Sequence, residues 1–543
     1  MPIENPPQPA RTLPLVGLLP AAAGALLLSL NGEASVDLGW HLETGRRILA
    51  GEGIPGPEPY LLTSGGAEWI DLHWLFQVLL AAVHGAAGFR GLVLLKAALV
   101  ASAIVLALSV PGPRRPSAAL GALLGLLAAA VFSLRTGIRP EHVSYVLLAA
   151  EIGVLESVRY GAPPRRLFLL PLLQLVWTNS QGLFILGIAL QAAYVAGELA
   201  ALRPAFRRQG GENPPFSGAA RRALFAAAAL SIAAAFANPY GAAGALYPFL
   251  LATRLDPSDP LFQTIVELRP TLSFAAAPAA TIAFVALLAL AAAAVAVRPL
   301  RAPSLALATA GLAIVAALAY RNAPLLPIAA LPLALHGLSP LLVARPAANR
   351  IPAGAAAALL AALSADVLRP GIFGPFLAAE RLAIPKAPSG ARPEAAAAFL
   401  ERTGAGERVF CDSSDASWLV GRLGGSRRYF MDTRTEVVGE DVFRVYHLVL
   451  QEPSRLFDPV AAKHAIDAVV IDMNRPKMGA LLHHLLESRE FALAFASGAE
   501  AVFLRRGARA SAAGLAEAPG PEAARSLGER FPLLPPPRPP RSR

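Results

Sequence analysis

Residues 36–74, VDLGWHLETGRRILAGEGIPGPEPYLLTSGGAEWIDLHW, concentrate acidic, histidine, tryptophan and arginine side chains between apolar segments at 13–30 and 92–110. At about 100° per residue, Leu38, Leu42 and Leu49 fall on one side of a helix and Asp37, His41 and Thr44 on another. Such a helix suits a membrane surface, its apolar side down and its polar stripe over the bilayer edge. A carboxylate held there can take a proton from an acceptor. Asp71 and His73 supply a second polar cluster beside Asp37 and His41. The plain alternative is a loop joining two spans, with Asp37 and His41 on a solvated face and Trp40 and Trp74 as interface anchors.

A second set of candidates is cationic. Arg135, Arg139, Arg254, Arg269 and Arg321 flank apolar runs where charge is not needed to set orientation. A guanidinium fork suits a phosphate, so Arg135, Arg139 or Arg321 can hold a leaving phosphate. Snorkelling to headgroups, or neutralising Glu141 and Glu267, is the competing reading.

The elements that must position these groups are membrane spans. Hydrophobic residues make up 55% of 543 and charged residues only 16%, which excludes an ordinary soluble protein. Mean hydropathy, at +0.51, agrees. The single cysteine, Cys411, excludes an intramolecular disulfide. A net charge of +11 points to no nucleic acid here, because the arginines lie in short loops between apolar runs.

With roughly 20 apolar residues per crossing, spans are expected near 13–30, 92–110, 117–134, 142–158, 183–201, 222–237, 277–297, 303–319, 324–343 and 351–368. Residues 167–177 make half a span before the polar break Thr178–Asn179–Ser180–Gln181–Gly182, which needs protein or a water-filled cavity around it. Counting it gives about eleven crossings. Arginines at 114, 115, 165, 166, 203–222, 298, 301, 345 and 350 occupy alternate loops. That alternation sets the N-terminus and Arg208 inside, and residues 36–74, Cys411 and Arg434 outside.

The expected organisation is a cytoplasmic tail at 1–12, a membrane domain at 13–368 with an outer loop at 31–91, a linker at 369–392, an extracytoplasmic α/β domain at 393–506 and a disordered Pro/Ala/Arg tail at 507–543. In the α/β domain β-like runs at 408–412, 427–432, 468–472 and 501–505 alternate with helices at 393–403, 443–457 and 478–488.

Asp37 with Trp40–His41, the run Gly45–Arg46–Arg47–Ile48–Leu49, Ile54–Pro55 and Trp74–Leu75 together resemble the first outer loop of GT-C-type membrane glycosyltransferases. That class includes protein O-mannosyltransferases, aminoarabinose transferases and oligosaccharyltransferase catalytic subunits. With Trp177–Thr178–Asn179, Asn238–Pro239–Tyr240–Gly241 and Asp432–Thr433–Arg434, the chain also resembles a group of uncharacterised bacterial membrane proteins of this type. The resemblance implies an all-α polytopic membrane domain followed by a small α/β domain. It implies transfer of a sugar from a polyprenyl-phosphate donor to a glycan, lipid or protein acceptor at the outer face of the bacterial inner membrane. Asp37 takes the place of the acidic residue that acts in catalysis or metal binding, so a divalent metal at Asp37 and His41 stays open. His41, Asp71, His73, Arg135, Arg139, Asn179 and Arg321 are the substrate-binding candidates. Leu38 stands where relatives often have a second acid, and Trp69–Ile70–Asp71–Leu72–His73 replaces a Lys-Pro-Pro. A transporter or flippase and a non-catalytic envelope scaffold are the competing functions.

Overall fold

A computed structural model describes residues 11–32, 35–64, 66–207, 213–254, 266–273, 278–297, 302–345, 347–368, 392–507, 519 and 521–530. The expected linker and N-terminal tail lie almost wholly outside these, as does Arg208. The chain forms two compact units, Met1–Ala34 with Leu72–Pro388, and Ser35–Asp71 with Ser389–Arg543. The division does not follow chain order. Residues 35–71, expected as a loop of the membrane domain, fold with the C-terminal unit.

In the first unit five helices are long and apolar enough to cross a membrane: Trp74–Leu108, Gly182–Ala200, Gly218–Ala235, Pro278–Val297 and Leu325–Val343. Shorter apolar helices run over Leu15–Ser29, Ala118–Phe132, Gly241–Thr253, Ser304–Leu318 and Arg350–Ala362. Among the described residues, length and composition thus establish five full-length spans. Leu15, Leu19, Ile282, Ile314, Leu318 and Ile351 point outward, as they do where lipid is the solvent. The chain is a multi-pass membrane protein. At the centre lies Leu325–Val343, buried from Leu325 to Leu335 and packed on Pro278–Val297, Ser304–Leu318 and Trp74–Leu108.

Two expectations meet different outcomes here. Residues 74–91, expected in the outer loop, are helical and merge with the next span; Gly88, at φ 60°, marks the kink between them. The half-span is short as expected: Leu169–Thr178 ends at a polar break before Ile185–Ala200. Its side chains satisfy the freed backbone. Asn179 Nδ2 donates to Leu175 O at 2.8 Å and Ser180 Oγ to Val176 O at 2.7 Å, while Gln181 Oε1 accepts from Leu183 N.

The second unit is built on a five-stranded sheet of order β2-β1-β3-β5-β4. The strands are β1 (Arg408–Phe410), β2 (Arg428–Tyr429), β3 (Ala468–Asp472), β4 (Phe491–Ser497) and β5 (Glu500–Arg505). The first three run parallel, and β5 is antiparallel to β3 and β4. Alternate residues face opposite layers: Phe410 joins Phe430, Tyr446, Phe457 and Phe491, whereas Val409 joins Phe399, Leu419, Val470 and Val502. The helix Ser413–Leu423 and the strand β4 were not anticipated. The helix expected at 443–457 is two, Glu440–Gln451 and Pro453–Lys463, since Pro453 cannot donate into the preceding turn. In the tail expected to be disordered, Pro521–Arg530 is a helix packed on Gly479–Glu487.

Residues 35–71 join this unit at two places. Tyr429 N donates to Tyr60 O at 2.9 Å and Leu62 N to Tyr429 O at 2.8 Å, so residues 60–62 run beside β2. The helix Leu38–Leu49 lies on Ser413–Leu423. Only glycine allows that approach: a Cβ at Gly39 would fall 1.9 Å from Ser417 O, and one at Gly421 2.6 Å from the Gly39 Cα.

Candidate functional site

Asp37 stands at the N-cap position of Leu38–Leu49 but makes no capping bond. Its Oδ1 accepts from Thr433 Oγ1 at 2.6 Å and its Oδ2 from Ser35 Oγ at 3.1 Å. Thr433 Oγ1 in turn accepts from Trp40 Nε1 at 3.3 Å. The carboxylate is half-buried and held by hydroxyls in one orientation, which suits a group that must meet an acceptor proton.

Thr433 reaches this place because its neighbours are locked. Arg434 is 1% exposed. It bonds Glu58 at 2.7 and 3.0 Å and Asp432 at 2.9 and 2.6 Å. Its guanidinium lies 4.3 Å from the Trp69 ring and 5.3 Å from each of Trp40 and Tyr60. Burial opposes the Arg434 charge, but Asp432 and Glu58 outweigh it and hold the pKa above its ordinary value. Burial pushes the Tyr60 hydroxyl up to about 12, against the bond it shares with Thr44 at 2.9 Å. One arginine thus ties residues 40, 58, 60 and 69 to the segment following β2.

The expected polar stripe over a bilayer edge is corrected here. His41 is 2% exposed and Thr44 0%, and Thr44 Oγ1 lies 2.9 Å from the Tyr60 hydroxyl. His41 lies against the Trp40 ring, with centroids 3.7 Å apart. Trp40 itself is buried in the aromatic box and is no interface anchor. Asp71 is also buried. Among the described residues no three His, Cys, Asp or Glu side chains could share an ion around Asp37 and His41.

The membrane unit holds the other candidates. Arg135 bonds Glu141 at 2.6 Å and Glu267 at 3.1 Å, and Arg139 bonds Glu267 at 2.7 Å. Burial works against the Arg135 charge, and Glu141 with Glu267 reverses this and raises its pKa. Arg321 follows Ser304–Leu318 in the turn Tyr320–Asn322, which packs against the Val266–Leu268 turn carrying Glu267. Among the described residues it has no carboxylate within ion-pair distance. Burial lowers its pKa; Arg135 and Arg139 add to that, against Glu141 and Glu267. Three arginines thus meet two glutamates, and one guanidinium is left over.

Asn179 is engaged by the fold. It accepts from Trp74 Nε1 at 3.0 Å and donates to Leu175 O and Ala237 O at 2.8 and 2.9 Å. His73 is the residue before Trp74–Leu108. Sequence reasoning passed over Lys96, 1% exposed within an apolar run. It donates to Asn31 Oδ1 at 2.9 Å and Thr136 O at 2.5 Å, fixing the loop between Arg135 and Arg139. A lysine inside a span was the signal available. Glu58 gave none.

No family model matches the chain, and no curated protein matches it in sequence. Its structure is similar to those of oligosaccharyltransferases from Archaeoglobus fulgidus. A crystal structure tethered with an acceptor peptide containing the NVT sequon is 13% identical, with 86% of this chain and 70% of that one covered and a TM-score of 0.51. The archaeal oligosaccharyltransferase AglB, in complex with an inhibitory peptide and a dolichol-phosphate, is 13% identical over 90% of this chain and 73% of that one, at a TM-score of 0.53. A complex with Zn and sulfate is 13% identical over 86% and 69%, at 0.50. At this identity the likeness shows the fold alone: the chain folds like these oligosaccharyltransferase structures.

Proposed function

We propose that the chain is a GT-C-type glycosyltransferase of the bacterial inner membrane. It moves a sugar from a polyprenyl-phosphate-linked donor to a glycan, lipid or protein acceptor at the outer face. The acceptor attacks the anomeric carbon as Asp37 takes its proton, the bond from that carbon to the phosphate oxygen breaks, and the lipid phosphate leaves with both electrons. Arg321, with Arg135 and Arg139, offers positive charge to that phosphate. His41 and Asp71 support the helix and loop around Asp37. The N-terminus is cytoplasmic and the C-terminal unit extracytoplasmic in this reading.

The observation that carries it is the Asp37 carboxylate, fixed by a hydroxyl from the far end of the chain and left half-buried. The fold supports it, since neighbours of this architecture are solved with dolichol-phosphate and acceptor peptide. The test is Asp37→Asn, read as release of polyprenyl phosphate from a polyprenyl-phosphate sugar in the presence of membrane acceptors. The variant inserts and melts normally and loses about 10²–10⁴ in rate. Glu52→Gln, on an exposed side chain, is the control. Glu43 does not serve, because it accepts from Gly425 N at 3.3 Å. Wild-type turnover by Asp37→Asn sinks the assignment.

A further inference from the structure

A second polar cluster lies inside the membrane unit, apart from every group used above. Glu151 of Glu141–Arg159, Gln174 of Leu169–Thr178 and Gln191 of Ile185–Ala200 are 0%, 0% and 1% exposed. Gln191 Nε2 donates to Glu151 Oε2 at 3.3 Å, and Gln174 Nε2 donates to Phe184 O at 3.1 Å. These bonds fix both amides. Turning Gln174 over would set its oxygen against a carbonyl, and turning Gln191 over would set its oxygen against the carboxylate. The oxygens left, Glu151 Oε1, Gln174 Oε1 and Gln191 Oε1, are buried acceptors with no donor among the described residues.

Two of them face one spot. A Cβ at Gly187 would fall 2.7 Å from Gln174 Oε1, 2.9 Å from Trp177 Cζ3 and 3.0 Å from Glu151 Oε1, so both oxygens converge on the Gly187 backbone beside the indole. Among the described residues no cation pairs with Glu151 from the elements around it. On its own helix Arg159 is taken by Glu156 and by Glu198 of Ile185–Ala200, where Tyr194 bonds Glu156. Leu169–Thr178 and the turn Gly182–Phe184 carry no titratable group. From Trp74–Leu108, Lys96 is held by Asn31 and Thr136, and neither His84 nor Arg90 pairs with Glu151. His336 of Leu325–Val343 bonds Val110 O, and Arg165 and Arg166 of Pro164–Phe168 are exposed. A bare carboxylate beside two amide oxygens in an apolar interior costs far more than one amide bond returns.

We propose that Glu151 Oε1 and Gln174 Oε1, converging beside Gly187, bind one positive charge, either a proton on Glu151 shared with Gln174 Oε1 or a desolvated alkali cation held by both oxygens. The guest joins Glu141–Arg159 to the half-helix Leu169–Thr178, which Trp177 also anchors through Ser144 Oγ at 2.8 Å. Its occupancy governs how firmly the broken span is seated.

The test is thermal melting of the full-length protein in nanodiscs, in sodium, potassium or N-methylglucamine chloride of equal ionic strength, across a pH series. Infrared spectra of the carboxyl carbonyl stretch accompany it. An alkali guest raises the wild-type melting temperature in sodium or potassium over the organic cation, and Glu151→Gln and Gln174→Leu lose the shift. A proton gives a buried-carboxylic-acid band that Glu151→Gln lacks and Gln174→Leu displaces, and wild type falls relative to Glu151→Gln as pH rises. Should wild type and Glu151→Gln respond alike to cation and pH, with no such band, the guest is neutral water and the proposal fails. If Glu151→Gln does not fold, the same decision rests on Gln174→Leu: loss of the cation shift or displacement of the band supports a bound charge, and neither overturns it.

Discussion

Thr433 Oγ1 lies 2.6 Å from Asp37 Oδ1 although 396 positions separate the two residues. The same hydroxyl accepts from Trp40 Nε1, so its proton has one direction in which to point. Orientation of the proposed base is therefore set by the C-terminal unit and not by the helix that carries it.

Thr433→Ala removes the shorter of the two hydroxyl bonds to Asp37. A bond to a charged group is worth about 1.5–3 kcal/mol, so kcat for transfer falls roughly 10- to 150-fold if the whole of it acts in the transition state. Donor affinity stays unchanged, and Thr433→Ser restores the rate. Steady-state kinetics at varied donor concentration separate kcat from KM. A wild-type kcat in Thr433→Ala, alongside a dead Asp37→Asn, removes Thr433 from the positioning of the base and leaves Asp37 in place.

Gly39→Ala tests whether the loop belongs to the C-terminal unit. Its new Cβ meets Ser417 O at 1.9 Å, a backbone atom that cannot rotate away. Overpacking of this kind costs about 1–3 kcal/mol or more, and hydrogen exchange over residues 35–71 and 413–423 rises together. Gly421→Ala behaves alike. Gly85→Ala, with nothing within 4 Å of its Cβ, leaves exchange unchanged. Exchange confined to residues 35–71 in Gly39→Ala contradicts the joint folding.

The helix at 38–49 was legible because leucines recur at helical spacing, but its environment was not. The leucine pattern suits a helix with one wet side, whereas Trp40 is buried against Thr433 and Arg434, hundreds of residues away, and Thr44 against Tyr60. The strand β4, FALAFAS, reads as helix by its alanines and leucine, and only pairing with β5 makes it a strand. Arg135, Arg139 and Arg321 stood out because they break the charge alternation, although no spacing rule joins residue 135 to residue 321. The Arg434 box left no trace beyond three consecutive letters, since its walls come from four separate places in the chain.

The carboxyl edge of β1 and β3 carries a pH dependence. Asp412, Asp415 and Asp472 crowd around Arg475 and Lys477, with Arg475 2.5 Å from Asp415 and Lys477 2.5 Å from Asp412. Burial raises Asp415 to about 6 from 3.8; Arg475 opposes this, and Asp412 and Asp472 add to it. A raised carboxyl stabilises the fold most when protonated. Its contribution is complete below about pH 4 and lost as pH rises through about 6, which amounts to roughly 3 kcal/mol for a shift of about two pKa units. Relative to Asp415→Asn, the wild-type unit therefore loses hydrogen-exchange protection at β1 and β3 between pH 4 and 7. Parallel profiles for the two proteins refute the shift.

Arg321 and Arg135 should part company when each is replaced by alanine. Arg135 is nearly fully buried between Glu141 and Glu267. Its loss strands the half-buried Glu141 and leaves Glu267 to Arg139 alone, an imbalance that costs up to about 3–5 kcal/mol, so Arg135→Ala melts early and its binding is unreadable. Arg321 is half-buried and, among the described residues, pairs with no carboxylate. Burial works against its charge more than Glu141 and Glu267 support it, so Arg321→Ala keeps or slightly raises the melting temperature. If its spare charge meets the donor phosphate, affinity for a polyprenyl-phosphate sugar drops roughly 10- to 150-fold, the worth of one charged hydrogen bond. Arg139→Ala, which leaves Arg135 on Glu267, loses less affinity than Arg321→Ala but more melting temperature. Binding of fluorescent polyprenyl phosphate to nanodisc-held protein measures this directly, beside a melting curve for each variant. A stable Arg321→Ala with undiminished affinity ends the phosphate role and leaves that arginine to the lipid headgroups.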